Sequence, residues 1–384
     1  MSATARQTPD RAAPDRPRAV RFRHGMVLGK FYPPHAGHHH LIDTAARACE
    51  RVTVICAPST VESIPLVERL AWLREAHGHT PWVRVVGGYD DTPVDFDDPD
   101  IWAAHCATTR DLLARAAAED GTGPDVDAVF SSEAYGPELA RRFDAVHVPV
   151  DPQRGTVPVS GTAVRADPVA YWSMLGPAVR AWFVRRVVVL GAESTGTSTL
   201  AEALARHYRR RGGVWSRTRW VPEYGRTLTE RKLAELRATR PAATMFDLRW
   251  DVADFVTAAT EQNAAEDAAA RLSSPLLCCD TDSFATAVWQ ERYLGSATAE
   301  VRALARTPDL YLLTDHVDVP FHDDGLRDGE YLRAWMTGRF AELLATRGCP
   351  TVRLTGGRER RLADAVRACD RLLRGGWDLA APLG

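Results

Sequence analysis

Short apolar runs alternate with helix-patterned segments along this chain, and the alternation starts afresh near its middle. Runs at residues 26–28, 52–57, 83–86, 128–130 and 145–150 lie between segments of helical spacing at 38–49, 66–76 and 101–118. A second series opens with Val187, Val188, Val189 and Leu190 and continues through runs at 276–279 and 309–313. Strands separated by helices return as parallel neighbours, so the pattern predicts α/β architecture: two doubly wound parallel sheets, each covered by helices on both faces. The length of 384 residues agrees, being more than one core commonly holds. The expected division is a tail at 1–24, a first domain at 25–180 and a second at 186–384. A connector rich in aromatics is expected at 171–184. The Arg- and Pro-rich tail carries no apolar core of a secretory leader and reads as disordered.

Composition narrows the function classes. A formal net charge of −2 argues against a nucleic-acid binder. No apolar stretch approaches the roughly 18 residues that a membrane span needs. Seven cysteines, an odd number with no CxxC pair, suit a reduced cytoplasmic chain. Of the 48 basic residues only Lys30 and Lys232 are lysines, so a retained or missing lysine is informative.

Lys30 falls in the segment Gly29, Lys30, Phe31, Tyr32, Pro33, Pro34, His35, Ala36, Gly37, His38, between the first strand and the first helix. A helix start offers unpaired N–H groups and the positive end of a dipole to an anion. Gly37 allows a phosphate to approach the backbone, His35 and His38 can face one pocket, and Lys30 adds charge. Together they suit a nucleoside triphosphate. His39 and His40 read as plain helix residues, because no carboxylate stands at a metal-binding spacing from them.

The second series has its own loop: Gly191, Ala192, Glu193, Ser194, Thr195, Gly196, Thr197, Ser198, Thr199, after a strand and before a helix. This is P-loop context, in which successive N–H groups cradle phosphate and Ser198 ligates Mg²⁺. The position before Ser198 is ordinarily lysine; here it is Thr197. Glu223 follows another apolar run, and Asp280 and Asp282 follow an apolar strand. Arg327 lies in a Gly- and Asp-rich stretch that reads as a lid, with Arg333 just beyond it.

The first segment resembles the HxGH signature of the nucleotidylyltransferase superfamily, and its fuller string resembles adenylyltransferases acting on nicotinamide mononucleotide (NMN). The second signature of that superfamily is matched by Val159, Ser160, Gly161, Thr162, Ala163, Val164 and Arg165. The downstream half resembles the ribosylnicotinamide kinase domain of the bifunctional NadR-type proteins. The resemblance implies that an NMN phosphate attacks the α-phosphorus of ATP, giving NAD and pyrophosphate. It assigns phosphate contacts to His35 and His38, charge neutralisation to Lys30 and Arg165, and donors to Ser160 and Thr162. Gly29, Phe31, Gly37 and Gly161 would complete the ATP site; Ser131, Ser132 and Glu133 would face the acceptor. Trp102, with Trp82 as second choice, is the candidate to stack on nicotinamide.

For the second domain the resemblance implies phosphorylation of ribosylnicotinamide by ATP. Mg²⁺ would travel with the nucleotide, held by Ser198 with Asp280, and Glu223, Asp280 or Asp282 would take the ribose 5′-hydroxyl proton. Thr197 supports another reading, in which this domain is a weak or inactive nucleotide sensor. Nicotinate mononucleotide is the alternative acceptor for the first domain. No nucleic-acid or membrane partner is expected, and a homo-oligomer is compatible with the sequence.

Overall fold

The computed structural model of the protein describes residues 21–327 and 329–383. Its elements follow the alternation read from the sequence. The first series is β1 (Phe22–Gly29), α1 (Ala36–Ala48), β2 (Cys49–Cys56), α2 (Leu66–His77), β3 (Val83–Gly87), α3 (Pro99–Asp120), β4 (Ala128–Ser131), α4 (Gly136–Arg142), β5 (Val146–Pro149) and α5 (Gly161–Ala166). After α6 (Pro177–Phe183) come β6 (Arg185–Gly191), α7 (Thr197–Arg209), β7 (Arg219–Val221), α8 (Tyr224–Thr239), α9 (Val252–Ala270), β8 (Leu276–Asp280), α10 (Ser283–Leu294), α11 (Ala299–Ala303), β9 (Leu310–Thr314), α12 (Arg333–Ala345), β10 (Thr351–Leu354) and α13 (Arg358–Arg374).

Two five-stranded sheets result, with strand orders β3-β2-β1-β4-β5 and β10-β9-β6-β8-β7. Every strand pair in them is parallel. In the first, chain order reverses between β1 and β4, which opens a crevice beyond the carboxyl ends of these strands. In the second, β6 is central, flanked by β8 and β9. Successive residues of each strand feed opposite faces. Val27 and Val54 join the core under α1 and α2, while their neighbours Met26 and Ile55 join Trp102, Cys106 and Leu113 of α3 on the other face. In the second sheet Val187, Val189, Leu276, Cys278, Leu310 and Leu312 share one face with Leu204 of α7 and Ala365 of α13. Full burial of each aliphatic side chain contributes about 1.5–3 kcal/mol.

Two boundaries differ from the sequence reading. The disordered tail expected at 1–24 lies mostly outside the described residues, but β1 begins at Phe22. Phe22 packs edge-on against Phe130. His24 is buried, its Nε2 2.8 Å from Thr53 Oγ1 and its Nδ1 2.7 Å from the Asp125 carbonyl. The alternation of Phe22, His24 and Met26 with arginines and glycine hides a strand start inside a basic stretch. At the other end, the chain divides into one compact unit that runs to Val179 and takes up the segment from Trp377, and another spanning Arg180–Gly376. The C-terminal segment, expected with the second domain, belongs to the first. All seven cysteines are free. No helix among the described residues is long and apolar enough to cross a membrane.

Candidate active sites

In the first unit the loop between β1 and α1 sits where the strand order reverses. His35 opens α1, and its Nδ1 accepts a hydrogen bond from the Gly37 N–H at 3.2 Å. The ring proton therefore resides on Nε2, which is buried and has no partner among the described residues. His38 stacks on His35 with ring centroids 3.8 Å apart, and its Nδ1 is likewise buried and unpartnered. Burial, then the charges of His39 and Arg154, pull the His35 pKa down to about 3; burial pulls that of His38 well below its usual value. Both rings are therefore neutral near pH 7 and present hydrogen-bond donors rather than cations. A Cβ on Gly37 would stand 3.1 Å from the His35 ring, so glycine lets the two imidazoles share the helix start.

Charge comes from two other residues. Lys30 Nζ lies 3.4 Å from Glu62 and donates at 2.8 Å to the carbonyl of Leu383, in the C-terminal segment. The Tyr32 hydroxyl donates to the Ala380 carbonyl at 2.9 Å, and Ser63 Oγ accepts from the Ala380 N–H at 2.7 Å. Arg165 reaches back from α5, donating to the Tyr32 carbonyl at 2.7 Å and to Thr162 Oγ1 at 3.2 Å. Ser160 caps α5 by accepting the Ala163 N–H. A Cβ on Gly161 would crowd Arg165 and the Tyr32 carbonyl at 3.2 Å.

These residues line a cavity of about 450 Å³, together with Gly29, Phe31, Ser132, Glu133, Trp102 and Pro382. Phe31 is a buried wall whose ring lies 4.9 Å from that of His38. Trp102 presents one edge while its indole N–H donates to the Phe96 carbonyl at 3.0 Å. The sequence reading did not single out Phe96, Tyr135, Asp90, His105 and Arg154, which also line the cavity, and it took His40, another lining residue, for a plain helix residue. Asp90 holds His105 at 2.6 Å, and Arg154 holds Glu133 at 2.8 Å. Two expectations need correction. Ser131 is outside the cavity: its buried hydroxyl lies 3.1 Å from His147 Nε2 and links the end of β4 to β5. Trp82 precedes β3, at the amino ends of the strands, and donates to the Ala46 carbonyl.

In the second unit the loop between β6 and α7 forms a phosphate cradle. Ser194 and Gly196 take left-handed backbone angles, φ 57° and 86°, which turn successive N–H groups to one side. A Cβ on Gly191 would collide with Thr314 at 2.1 Å. Gly191, Glu193, Ser194, Thr197 and Ser198 line a cavity of about 150 Å³ with Glu223, Asp280 and Arg327. Thr195 is buried behind the loop, its hydroxyl 2.7 Å from that of Thr314, and Thr199 is exposed on α7 outside the cavity. Glu193 lines the cavity with its carboxylate already engaged: it pairs with Arg292 at 2.9 Å and accepts the Gly329 N–H at 2.7 Å, latching the lid to the loop. The lid is tied again where Ser194 Oγ accepts the His322 N–H at 2.7 Å. Arg327 reaches toward Ser194 Oγ at 3.4 Å.

Glu223 and Asp280 face each other across this cavity. Burial and their mutual repulsion raise Glu223; burial raises Asp280, opposed by hydrogen bonds from Ser198 and Thr197. Asp282, the third carboxylate expected there, is elsewhere. Thr281 has φ 65°, which breaks the strand's period of two, and Asp282 instead caps α10 and accepts the Tyr311 hydroxyl at 2.8 Å. The opposite wall, missed in the sequence, is aromatic: Trp250, Phe255, Trp289 and Tyr293, with Arg226 at the mouth. Helix α9 supplies Asp254, Phe255 and Gln262 to the cavity lining. Lys232 pairs with Asp254 and lies 5.0 Å over the Trp250 ring.

Residues 26–167 match the cytidylyltransferase-like family, and residues 186–361 match an AAA domain. Two relatives are the trifunctional NAD biosynthesis/regulator proteins NadR of Escherichia coli (strain K12) and Salmonella typhimurium (strain LT2). Each is 27% identical over 321 residues, covering 79% of this chain and 71% of the relative. Among solved structures, NadR protein in complex with NR superposes with a TM-score of 0.67 at 22% identity. NadR protein in complex with NAD and AMP-PNP gives 0.65 at 20%, and each match covers 94% of this chain and 98% of the other. With a cytidylyltransferase-like segment followed by an AAA segment, the chain is similar in sequence to these NadR proteins and shares the fold of the NadR structures.

Proposed function

We propose that the first unit transfers the adenylyl group of ATP to NMN, and that the second phosphorylates ribosylnicotinamide with ATP. The observation that carries the first half is the stacked pair His35 and His38, neutral and buried, with unpartnered ring nitrogens in a nucleotide-sized cavity. An oxygen of the NMN phosphate attacks the α-phosphorus of ATP, the bond to the bridging oxygen breaks, and pyrophosphate leaves. The attacking oxygen already carries its charge, so no protein base is needed. The histidines donate hydrogen bonds to phosphate oxygens while Lys30 and Arg165 offset the charge that gathers there. Trp102, Ser132 and Glu133, which line the same cavity, would then contact the acceptor.

In the second unit the attacking ribose 5′-hydroxyl must lose a proton, and Glu223 faces the cradle to receive it. Asp280, hydrogen-bonded to Ser198 and Thr197, offers a carboxylate beside a hydroxyl, hard oxygen donors that fit Mg²⁺ with room left for phosphate oxygens and water. Among the described residues no group of three or more His, Cys, Asp or Glu could hold a metal by itself. Bound there, Mg²⁺ would neutralise phosphate charge.

Thr197 favours one other reading, a second unit that binds nucleotide without turnover. Incubation with Mg²⁺-ATP and NMN yields NAD and pyrophosphate under this proposal. No NAD from folded protein would sink the first half, and competition with nicotinate mononucleotide reads the acceptor. Ribosylnicotinamide-dependent release of ADP separates kinase from sensor.

A further inference from the structure

Thr197 leaves the phosphate cradle without its usual cation, yet two buried guanidinium groups stand directly behind the same loop. Arg361, on α13, is only 5% exposed. Its three nitrogens donate to three backbone carbonyls, Thr195 at 2.9 Å, Asp315 at 2.8 Å and Gly356 at 2.7 Å. Arg333, at the start of α12, is 7% exposed. It donates to the Val319 carbonyl at 2.9 Å and approaches the carbonyls of Ser194 and His316 at 3.4 Å. Its Nε is buried with no partner among the described residues.

Buried arginines elsewhere in the chain are paired with carboxylates: Arg69 with Glu62 at 2.5 Å, Arg292 with Glu193 at 2.9 Å. Among the described residues no carboxylate forms an ion pair with Arg333 or Arg361, and the side chain of Asp315 is taken by Arg353 at 2.7 Å. Asp315 attracts Arg361 and Glu330 attracts Arg333 without an ion-pair contact, and a buried cation so incompletely neutralised is costly. Both guanidinium groups approach carbonyls of the loop, Arg361 that of Thr195 and Arg333 that of Ser194, while the Thr195 N–H turns back to the Ala192 carbonyl at 3.3 Å. Each therefore adds positive potential directly behind the loop that a phosphate would meet.

We propose that Arg333 and Arg361 are positioning residues of the second site, and that their unpaired charge replaces, through the loop backbone, that of the lysine missing at position 197. A polyphosphate is the anion that completes them. The inference rests on reading the second unit as a nucleotide site, though not on its being a kinase.

The test is a double-mutant cycle on the full chain, in a background of His35→Ala and His38→Ala so that binding reports the second unit. Magnesium and AMP-PNP are titrated calorimetrically. Arg333→Gln is expected to weaken binding by about tenfold or more, and Arg361→Lys to lose less than Arg361→Gln. Thr197→Lys should restore the Arg333→Gln protein to within about threefold of its parent, yet improve the parent itself by less than about threefold. Equal gains from Thr197→Lys in both backgrounds overturn the proposal, as does an Arg333→Gln protein that binds like its parent. If Arg361→Gln does not fold, the Arg333 cycle decides alone. Coupled gains without ribosylnicotinamide-dependent ADP release would remove the kinase reading and keep this one; additive gains with ADP release would do the reverse. Absence of AMP-PNP binding overturns both.

Discussion

The two nucleotide sites occupy equivalent places, each on the loop that follows a central strand, and burial acts on both. Its result differs with the groups it meets. In the first unit desolvation strips the charge from His35 and His38 and leaves neutral hydrogen-bond donors. In the second it pushes Glu223 and Asp280 upward, out of the usual carboxylate range. The difference follows the proposed chemistry. Attack by a phosphate oxygen releases no proton, so donors whose charge never changes suffice. Attack by a hydroxyl releases one, and a carboxylate with a raised pKa is a stronger base for it. One physical effect thus prepares a positioning site in one unit and a proton-accepting site in the other.

The largest effect that bears on this contrast is expected from Glu223→Gln. It should lower kcat for ribosylnicotinamide-dependent ADP release by about 10²–10⁴ and leave NAD formation unchanged. In the unmodified protein that kcat should climb as pH rises past the ordinary carboxylate range, because a raised pKa keeps the base protonated below it. A kinase already at full rate at pH 5 breaks the contrast. Next, His38→Ala removes a donor to the transferring phosphate, and kcat/KM for NAD formation should fall about 10²–10³-fold with ADP release intact.

Asp282→Asn sharpens the assignment of the base, since it should keep kinase kcat within about threefold. Its effect lies in stability. Burial raises the folded pKa of Asp282 to about 6 from an ordinary 3.8. The favourable contribution of this carboxyl is then complete below the ordinary value and lost as pH rises through about 6. Urea unfolding should show wild type gaining on Asp282→Asn by an amount on the order of 2–3 kcal/mol at pH 4 relative to pH 8. The smallest effect concerns the C-terminal segment. Ser63→Ala loosens its anchor at Ala380 and frees Lys30 from the Leu383 carbonyl, so KM for ATP in NAD formation should fall by about two- to threefold with kcat unchanged.

Much of this was legible in the chain because loops between a strand and a helix are local. The residues at 29–38 and 191–199 supply their own glycines, donors and helix starts, and the structure puts them at the expected strand ends. What could not be read depends on turns and distant partners. Asp280 and Asp282 look equivalent until the left-handed turn at Thr281 sends the second away. Ser131 and Ser132 are adjacent, and strand alternation hides one while opening the other to the cavity. Trp82 and Trp102 differ only in which end of the sheet they reach. Lys232 gains its role from Asp254 and Trp250, which lie on another element, and Lys30 gains a contact with Leu383 from the far end of the chain. Composition carries no sign of any of these.

The protonation state of the first site can be read directly from the histidine ring nitrogens. In ¹⁵N NMR of the full chain, with His35→Gln and His38→Gln proteins to assign the signals, both rings should stay neutral from about pH 8 down to about pH 5. His35 should show its proton on Nε2 throughout. A ring that takes up a second proton with a midpoint near 6.5, as an unburied histidine does, would contradict the account, because the first site would then work with cations rather than with neutral donors.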